Sequence, residues 1–126
     1  MKIRIRGNSI RLRLSQPEVN QLSEGRTVQE ICLLSPAERL ICALEPWHLA
    51  VFSASSEAGS ISVRVPLEQV QTWATSADEG IYGEQENGSS QPLRIAIEKD
   101  YSCPVDRPGE DQSQTFPHPE GSDRVC

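Results

Sequence analysis

Residues 1–14, MKIRIRGNSIRLRL, have the pattern that decides the fold of this chain. Apolar and cationic side chains alternate on both sides of Gly7-Asn8, a pair typical of the two-residue turn of a β-hairpin. A hairpin with that turn has Arg4 opposite Arg11. One of its faces is then aliphatic and suited to a core, whereas the other carries only positive charge.

The polar face of this hairpin is a candidate binding site. Its five cations are Lys2, Arg4, Arg6, Arg11 and Arg13. Like charges that lie opposite each other on neighbouring strands repel, so an anionic group must neutralise them. Arginine suits carboxylate and phosphate because its planar guanidinium donates two parallel hydrogen bonds. We therefore expect the five cations to bind an acidic protein segment or a small anion. The alternative is a solvated strand face with ion pairs inside the domain, for which Glu98, Glu84 and Glu86 are candidate partners.

The charge of the chain is polarised. The 126 residues suffice for one domain, 37% of them are hydrophobic, and the formal net charge is −6. Because five of the twelve Lys and Arg residues lie in residues 1–14, the rest of the chain has seven basic and eighteen acidic residues. Sequence-independent nucleic-acid binding depends on neutralising many phosphates, and this acidic balance argues against it.

No stretch predicts a secretion signal or a membrane span. Charge interrupts the apolar residues of the N-terminal segment, and runs such as residues 40–44 are far shorter than the roughly 20 residues of a membrane helix. We therefore expect a cytoplasmic protein without membrane contact. Its cysteines are then expected as thiols, and their spacing contains no Cys-x-x-Cys pair. They are Cys32, Cys42, Cys103 and Cys126.

Two short helices are predicted from capping signals and periodicity. Ser15 and Glu18 have the spacing of a capping box, and Gly25 can end a helix in a left-handed conformation. These signals predict a helix over residues 16–24. Apolar side chains at helical spacing predict a second helix over residues 67–74.

A weak repeat relates the two helices. Residues 10–22 and residues 61–73 each contain a strand of alternating apolar side chains followed by an amphipathic helix. Two copies of a hairpin-plus-helix unit would give this pattern. Chance similarity explains two short matches equally well.

Further strands are predicted from alternation and turn residues. Two more hairpins comprise residues 28–34 with 39–45 and residues 49–55 with 60–65. The first of these hairpins can place Cys32 opposite Cys42, and we expect packed thiols there rather than a redox pair. Residues 76–90 are interpreted as a flexible acidic interval, and residues 93–98 as a last strand.

The composition changes after residue 100. Residues 101–126 hold four prolines and almost no aliphatic side chains, which predicts a loosely docked or disordered tail after a single domain over residues 1–100. The alternative is that Tyr101, Cys103 and Phe116 anchor an extended segment along the domain.

The tail also contains weak candidate ligands for a metal. They are Cys103, Asp106, Glu110, Asp111 and His118. A tight site needs ligands that are already placed in a definite geometry, whereas these are irregularly spaced and interrupted by prolines. We expect an acidic, solvated tail and no cofactor. If a metal binds there, the Cys and His donors favour zinc.

Several of these motifs together resemble a small bacterial protein family known only as a domain of unknown function. They are MKIRIRGNSIRLRL before a capped helix, VRVP before a tryptophan-bearing helix, and the closing LRIAIEKDYSCP, RPGED and FPHP. The resemblance covers most of residues 1–119. It implies no activity, substrate or catalytic residue.

The sequence as a whole predicts an α+β fold. We expect about seven mostly antiparallel strands, in a sandwich or a partly closed barrel, and two short helices. The favoured function is that of a small, non-enzymatic binding module. We expect a monomer, since the cationic hairpin would repel its own copy. The alternatives are an enzyme acting on a phosphorylated or anionic small molecule, and a metal-binding protein. His48 and His118 are the available histidines, and neither lies in a recognisable catalytic motif.

Overall fold

The structure is a computed structural model that describes residues 1–102 and 113–117. This part of the chain contains eight strands and two helices. In chain order they are β1 (Lys2–Ile5), β2 (Ser9–Leu14), α1 (Gln16–Ser23), β3 (Val28–Ser35), β4 (Glu38–Trp47), β5 (Ser53–Glu57), β6 (Ser60–Pro66), α2 (Leu67–Ala74), β7 (Gly80–Gln85) and β8 (Leu93–Lys99). The strands form two four-stranded sheets. Sheet A has the order β1-β2-β8-β7, and sheet B has the order β3-β4-β6-β5.

Each sheet joins a hairpin from the first half of the chain to a hairpin from the second half. The hairpins are antiparallel, whereas the central pairs, β2 with β8 and β4 with β6, are parallel. The order strand-strand-helix-strand-strand therefore occurs twice, and the two halves exchange hairpins. The weak sequence repeat falls on the corresponding junctions of β2 with α1 and of β6 with α2.

The predicted α+β class with two helices is confirmed, and about seven strands is close to the eight observed. The mostly antiparallel arrangement is correct for the hairpins and wrong for the centre of each sheet. Short connections require antiparallel neighbours only when the paired strands are consecutive, and the two parallel pairs join strands that are distant in the chain or separated by another strand. The sheets form an open two-layer arrangement and no closed barrel.

The acidic interval over residues 76–90 contains a strand that the sequence interpretation missed. β7 pairs along its whole length with β8, from Gly80 opposite Glu98 to Gln85 opposite Leu93. Its glycines and polar residues weaken the local strand signal. Pairing with β8, whose own sequence pattern is strong, stabilises β7 although its local strand signal is weak.

The register of the second hairpin differs from the prediction. Ser35 pairs with Glu38 around a two-residue turn, and an irregularity beside Leu34 shifts the pairing further. Cys32 therefore lies opposite Leu40 instead of Cys42. Both thiols are free. Cys42 is buried as expected and burial raises the pKa of its thiol, whereas Cys32 is exposed.

The core lies between the sheets and is completed by the helices, which pack against each other. The predicted capping box of α1 is present, with Ser15 accepting from the Glu18 backbone and Glu18 accepting from the Ser15 backbone. Val19 and Leu22 of α1 and Val70 and Trp73 of α2 are buried in that core. Neither described helix is long and apolar enough to cross a membrane.

One side of the sandwich is closed by contacts between β5 and β7. The Gln85 side chain donates to the Ala54 carbonyl at 2.9 Å and accepts from the Ala54 N–H at 2.7 Å. On the same strand Gly83 leaves room for Phe52, because a Cβ atom at residue 83 would lie 2.8 Å from the Phe52 Cβ and closer still to its ring. A missing side chain thus allows an aromatic ring to fill this side of the core.

The opposite side of the sandwich, between β1 and β3, is joined where the Met1 ammonium lies 2.7 Å from the Glu30 Oε1 and is otherwise open. A cleft of about 460 Å³ lies there, and Ile3 and Ile5 of β1 face Cys32 and Leu40 of sheet B across it. Both isoleucines are exposed, at 41% and 61%. The two sheets therefore meet closely along β5 and β7 and leave apolar surface in water along β1 and β3.

The described residues beyond residue 100 pack against the domain. The Phe116 N–H donates to the Asp100 carbonyl at 2.7 Å, and the Gln16 N–H donates to the Gln114 carbonyl at 3.1 Å. The Phe116 ring lies 5.8 Å from the Tyr101 ring and 5.5 Å from the Lys99 Nζ. These contacts are those of an anchored segment, although Cys103 lies outside the described residues. The predicted boundary at residue 100 stays a prediction.

Replacing Gly83 with alanine tests the closed side of the sandwich. We expect Gly83→Ala to lower the free energy of unfolding by about 1–3 kcal/mol, the usual effect of overpacking, because the new methyl group overlaps Phe52. The measurement is urea denaturation. In a Phe52→Leu background the same change should cost less, since the smaller side chain leaves space. Equal effects in both backgrounds would contradict the proposed contact.

Candidate functional site

The outer face of sheet A gathers most of the cations predicted from the sequence. β1 and β2 pair as expected, with Lys2 opposite Arg13 and Arg4 opposite Arg11. The parallel neighbour β8 adds Arg94, which lies opposite Ser9 of β2. We call this surface the cationic face and define it by Lys2, Arg4, Arg11, Arg13 and Arg94. The fifth predicted cation, Arg6, is exposed just beyond the end of β1.

Glu98 lies at the centre of the cationic face. Because β2 and β8 are parallel neighbours, Glu98 lies opposite Arg13 in the register and is only 5% exposed. Its Oε1 atom is 3.1 Å from the Arg11 Nε and 3.8 Å from the Arg13 Nε. The predicted ion pair between Glu98 and the hairpin is therefore present. Its two arginines share one carboxylate, so this cluster retains a net positive charge.

Two further contacts fix the ends of this cluster. The Lys2 Nζ lies 3.0 Å from the Asp100 Oδ2, and the Tyr82 hydroxyl donates to the Glu98 Oε2 at 2.8 Å. Partial desolvation, together with the hydrogen bond to Glu98 and its negative charge, raises the pKa of Tyr82 to about 12. The phenol therefore stays protonated and remains a donor to Glu98 at neutral pH.

Part of the cationic face, and the neighbouring Arg6, are not neutralised by the described residues. Within residues 1–102 and 113–117, no carboxylate forms an ion pair with Arg4, Arg6 or Arg94, and all three side chains are exposed. The cationic face is thus a mixture of internally paired and available guanidinium groups.

A groove of about 460 Å³ crosses the same surface. Its floor includes Ala96, whose small side chain lies between Arg11 of β2 and Tyr82 of β7 in the register. Arg94 and Glu84 line its other end. The groove therefore offers two guanidinium groups and one aromatic ring to a ligand, with one carboxylate at its rim.

The other candidate residues are not brought to this surface. His48 is exposed in the loop between β4 and β5 and does not line the groove on sheet A. The candidate metal ligands Cys103, Asp106, Glu110, Asp111 and His118 lie outside the described residues. In the described part of the chain, no group of three His, Cys, Asp or Glu side chains has the arrangement of a metal site.

Arg94 and Tyr82 are site residues that the sequence interpretation missed. Both alternate with inward-facing apolar residues, a pattern that indicates an outward side chain. That pattern does not reveal that β8 lies beside β2, which is what brings Arg94 to the hairpin.

The titration of Tyr82 tests the cluster around Glu98. We expect its pKa of about 12 to move back towards the ordinary value of 10 in Glu98→Gln, because the substitution removes the negative charge beside the phenol. Ultraviolet absorbance of the phenolate measures this in a Tyr101→Phe background, with Glu84→Gln as the control. An unchanged midpoint in Glu98→Gln would contradict the assigned contact.

The same shift predicts how stability changes at alkaline pH. The unfolded chain loses the Tyr82 proton near pH 10, whereas the folded chain keeps it until about pH 12. The contribution of Tyr82 to stability is therefore complete below pH 10 and lost as the pH rises through 12.

The comparisons with known proteins place the chain in a family without assigning an activity. A family model described as a family of unknown function, DUF7009, matches residues 1–120. No curated protein and no solved structure matches the chain. The match includes the hairpin, both helices and every strand of the two sheets. The chain therefore belongs to DUF7009, a family of unknown function.

Proposed function

We propose that this protein is a non-enzymatic binding module whose cationic face holds the carboxylates of an acidic segment of a partner protein. The observation that carries the proposal is the position of Arg4 and Arg94. Their exposed guanidinium groups lie on the same face as the groove over Ala96, and no described carboxylate forms an ion pair with them. An arginine that is exposed and already held on a strand can grip a carboxylate with two parallel hydrogen bonds.

The charge of the face supports an anionic ligand. Five cations define the cationic face, and three carboxylates accompany them, those of Glu84, Glu98 and Asp100. Glu98 and Asp100 are buried and already in contact with Arg11, Arg13 and Lys2. The local excess of positive charge is therefore on the exposed surface, where a ligand can reach it.

The shape of the face favours an extended segment. The groove runs across strands β2, β8 and β7 of a β-sheet, and Tyr82, which lines it, is 56% exposed. An extended chain can place acidic side chains on the guanidinium groups and apolar atoms on the ring at the same time. The net charge of −6 opposes long polyanions, so a short acidic segment fits the whole molecule better.

Arg4 and Arg94 are also the residues that separate binding from folding. Arg11 and Arg13 contact the buried carboxylate of Glu98, so their replacement leaves a buried charge with fewer partners and threatens stability. Arg4 and Arg94 have no such role among the described residues, and their side chains are exposed.

A fluorescent, glutamate-rich peptide tests the proposal. We expect the double variant Arg4→Gln, Arg94→Gln to bind it at least about tenfold more weakly than the unmodified chain, because each lost charge-assisted hydrogen bond costs on the order of 1.5–3 kcal/mol. Fluorescence anisotropy gives the dissociation constant, and binding should weaken as salt is added.

The matched control is Arg26→Gln, Arg39→Gln, which changes the net charge equally at exposed positions outside the cationic face. The control should bind the peptide as tightly as the unmodified chain does. Equal loss in both double variants would contradict the proposal by showing that only the total charge matters. Competition by inorganic phosphate at low concentration would instead identify a small anion as the ligand.

A further inference from the structure

β3 is an edge strand of sheet B, and its apolar side chains are exposed. Six consecutive residues, 29–34, are exposed, and Ile31, Leu33 and Leu34 are 47%, 76% and 57% exposed. Leu40 on the neighbouring strand is 52% exposed. One edge therefore combines apolar side chains with a row of backbone groups that no described strand covers.

The other three edges have features that oppose strand addition. β1 is four residues long and carries Lys2 and Arg4. The sequence of β5 is SASSE, mostly small polar residues, and the Gln85 side chain ties it to β7. β7 contains two glycines and the charged Glu84. Proteins protect their edges in such ways, and an edge that is long and apolar is the one that pairs with another chain.

We propose that β3 pairs antiparallel with β3 of a second copy of this chain, about a two-fold axis at Cys32. The pairing joins two copies of sheet B into one eight-stranded sheet. Eight residues of strand span about 26 Å, which is long enough for a stable row of main-chain hydrogen bonds. This inference uses no residue of the cationic face and does not rest on the proposed function.

The register about Cys32 is the one that matches the side chains. It places Ile31 of each copy opposite Leu33 of the other, and both of these side chains point away from the core. Within each copy Ile31 also lies opposite Ile41 of β4, so the new pair extends an existing apolar row across the outer face. Glu30 then lies opposite Leu34 of the second copy.

The edge matches its own copy, which favours a second copy as the occupant, and the charge on β3 does not oppose this pairing. Glu30 is the one charged residue of β3, and the register about Cys32 keeps the two Glu30 side chains apart. A register about Glu30 would place these carboxylates opposite each other and is disfavoured. A two-fold axis presents the same apolar edge from both copies, so one contact covers both edges. The repulsion expected between cationic hairpins concerns β1, which lies in the other sheet.

The mass in solution tests the proposal. Sedimentation equilibrium over a wide range of protein concentrations should give twice the chain mass of 13.9 kDa for the unmodified protein at high concentration. We expect Leu33→Lys to be monomeric under the same conditions, because it places a charge against an apolar pair. Added salt should strengthen the dimer, since each copy has a net charge of −6.

Val51→Lys is the control, because Val51 is also exposed, at 57%, and lies in a loop outside sheet B. This variant should remain dimeric. A monomer for the unmodified chain at every concentration overturns the proposal. A dimer that survives Leu33→Lys also overturns it. Thermal unfolding shows whether both variants are folded, which is expected at exposed positions.

Cross-linking tests the register. In a chain with Cys42, Cys103 and Cys126 replaced by serine, mild oxidation should link two copies through Cys32 in a reducible dimer, because directly opposed residues lie within the Cα separation that a disulfide needs. Leu33→Lys in the same background should lose the link. Failure to form the cross-link in a dimeric sample would overturn the axis at Cys32.

Discussion

The parallel pairing of β2 with β8 is the constraint on which the rest of the structure depends. It brings the second and the last strands side by side, although more than eighty residues separate Leu12 from its partner Ile97. It buries both of these side chains in the core and, on the opposite face, sets Glu98 beneath Arg11 and Arg13. Without that neighbour the hairpin would oppose like charges with nothing to offset them. The same contact therefore stabilises the sheet and determines which cations remain available to a ligand.

The exchange of hairpins between the two halves explains why the fold holds together as one unit. Each half has two strands, a helix and two more strands, and neither half contains a complete sheet. The β4–β6 pair repeats in sheet B what β2–β8 does in sheet A. Because each half completes the sheets of the other, loss of either central pairing would expose apolar residues of both halves.

Local features of the fold were predictable from the sequence, and contacts between distant segments were not. The capping box at Ser15 and the turn at Gly7-Asn8 depend on residues only a few positions apart, so a single sequence is enough to predict them. The parallel pairs, β7 and the register beside Leu34 depend on partners that local patterns do not identify. The candidate site also combines residues that local patterns predict with a residue that only a distant contact brings there. The hairpin arginines were found by alternation, whereas Arg94 joins them only because β8 lies beside β2.

The two sides of the sandwich show how one topology supports different surfaces. Along β5 and β7, Gln85 bonds to the Ala54 backbone and Gly83 admits the Phe52 ring, so the sheets are closed there. The corresponding side along β1 and β3 has isoleucine and leucine in contact with water. The difference between the two sides does not follow from the repeated topology. It arises from a few side chains on the side along β5 and β7. The apolar side along β1 and β3 is mostly open, whereas the related side along β5 and β7 is closed. An open apolar surface is suited to association, because contact with another chain removes it from water.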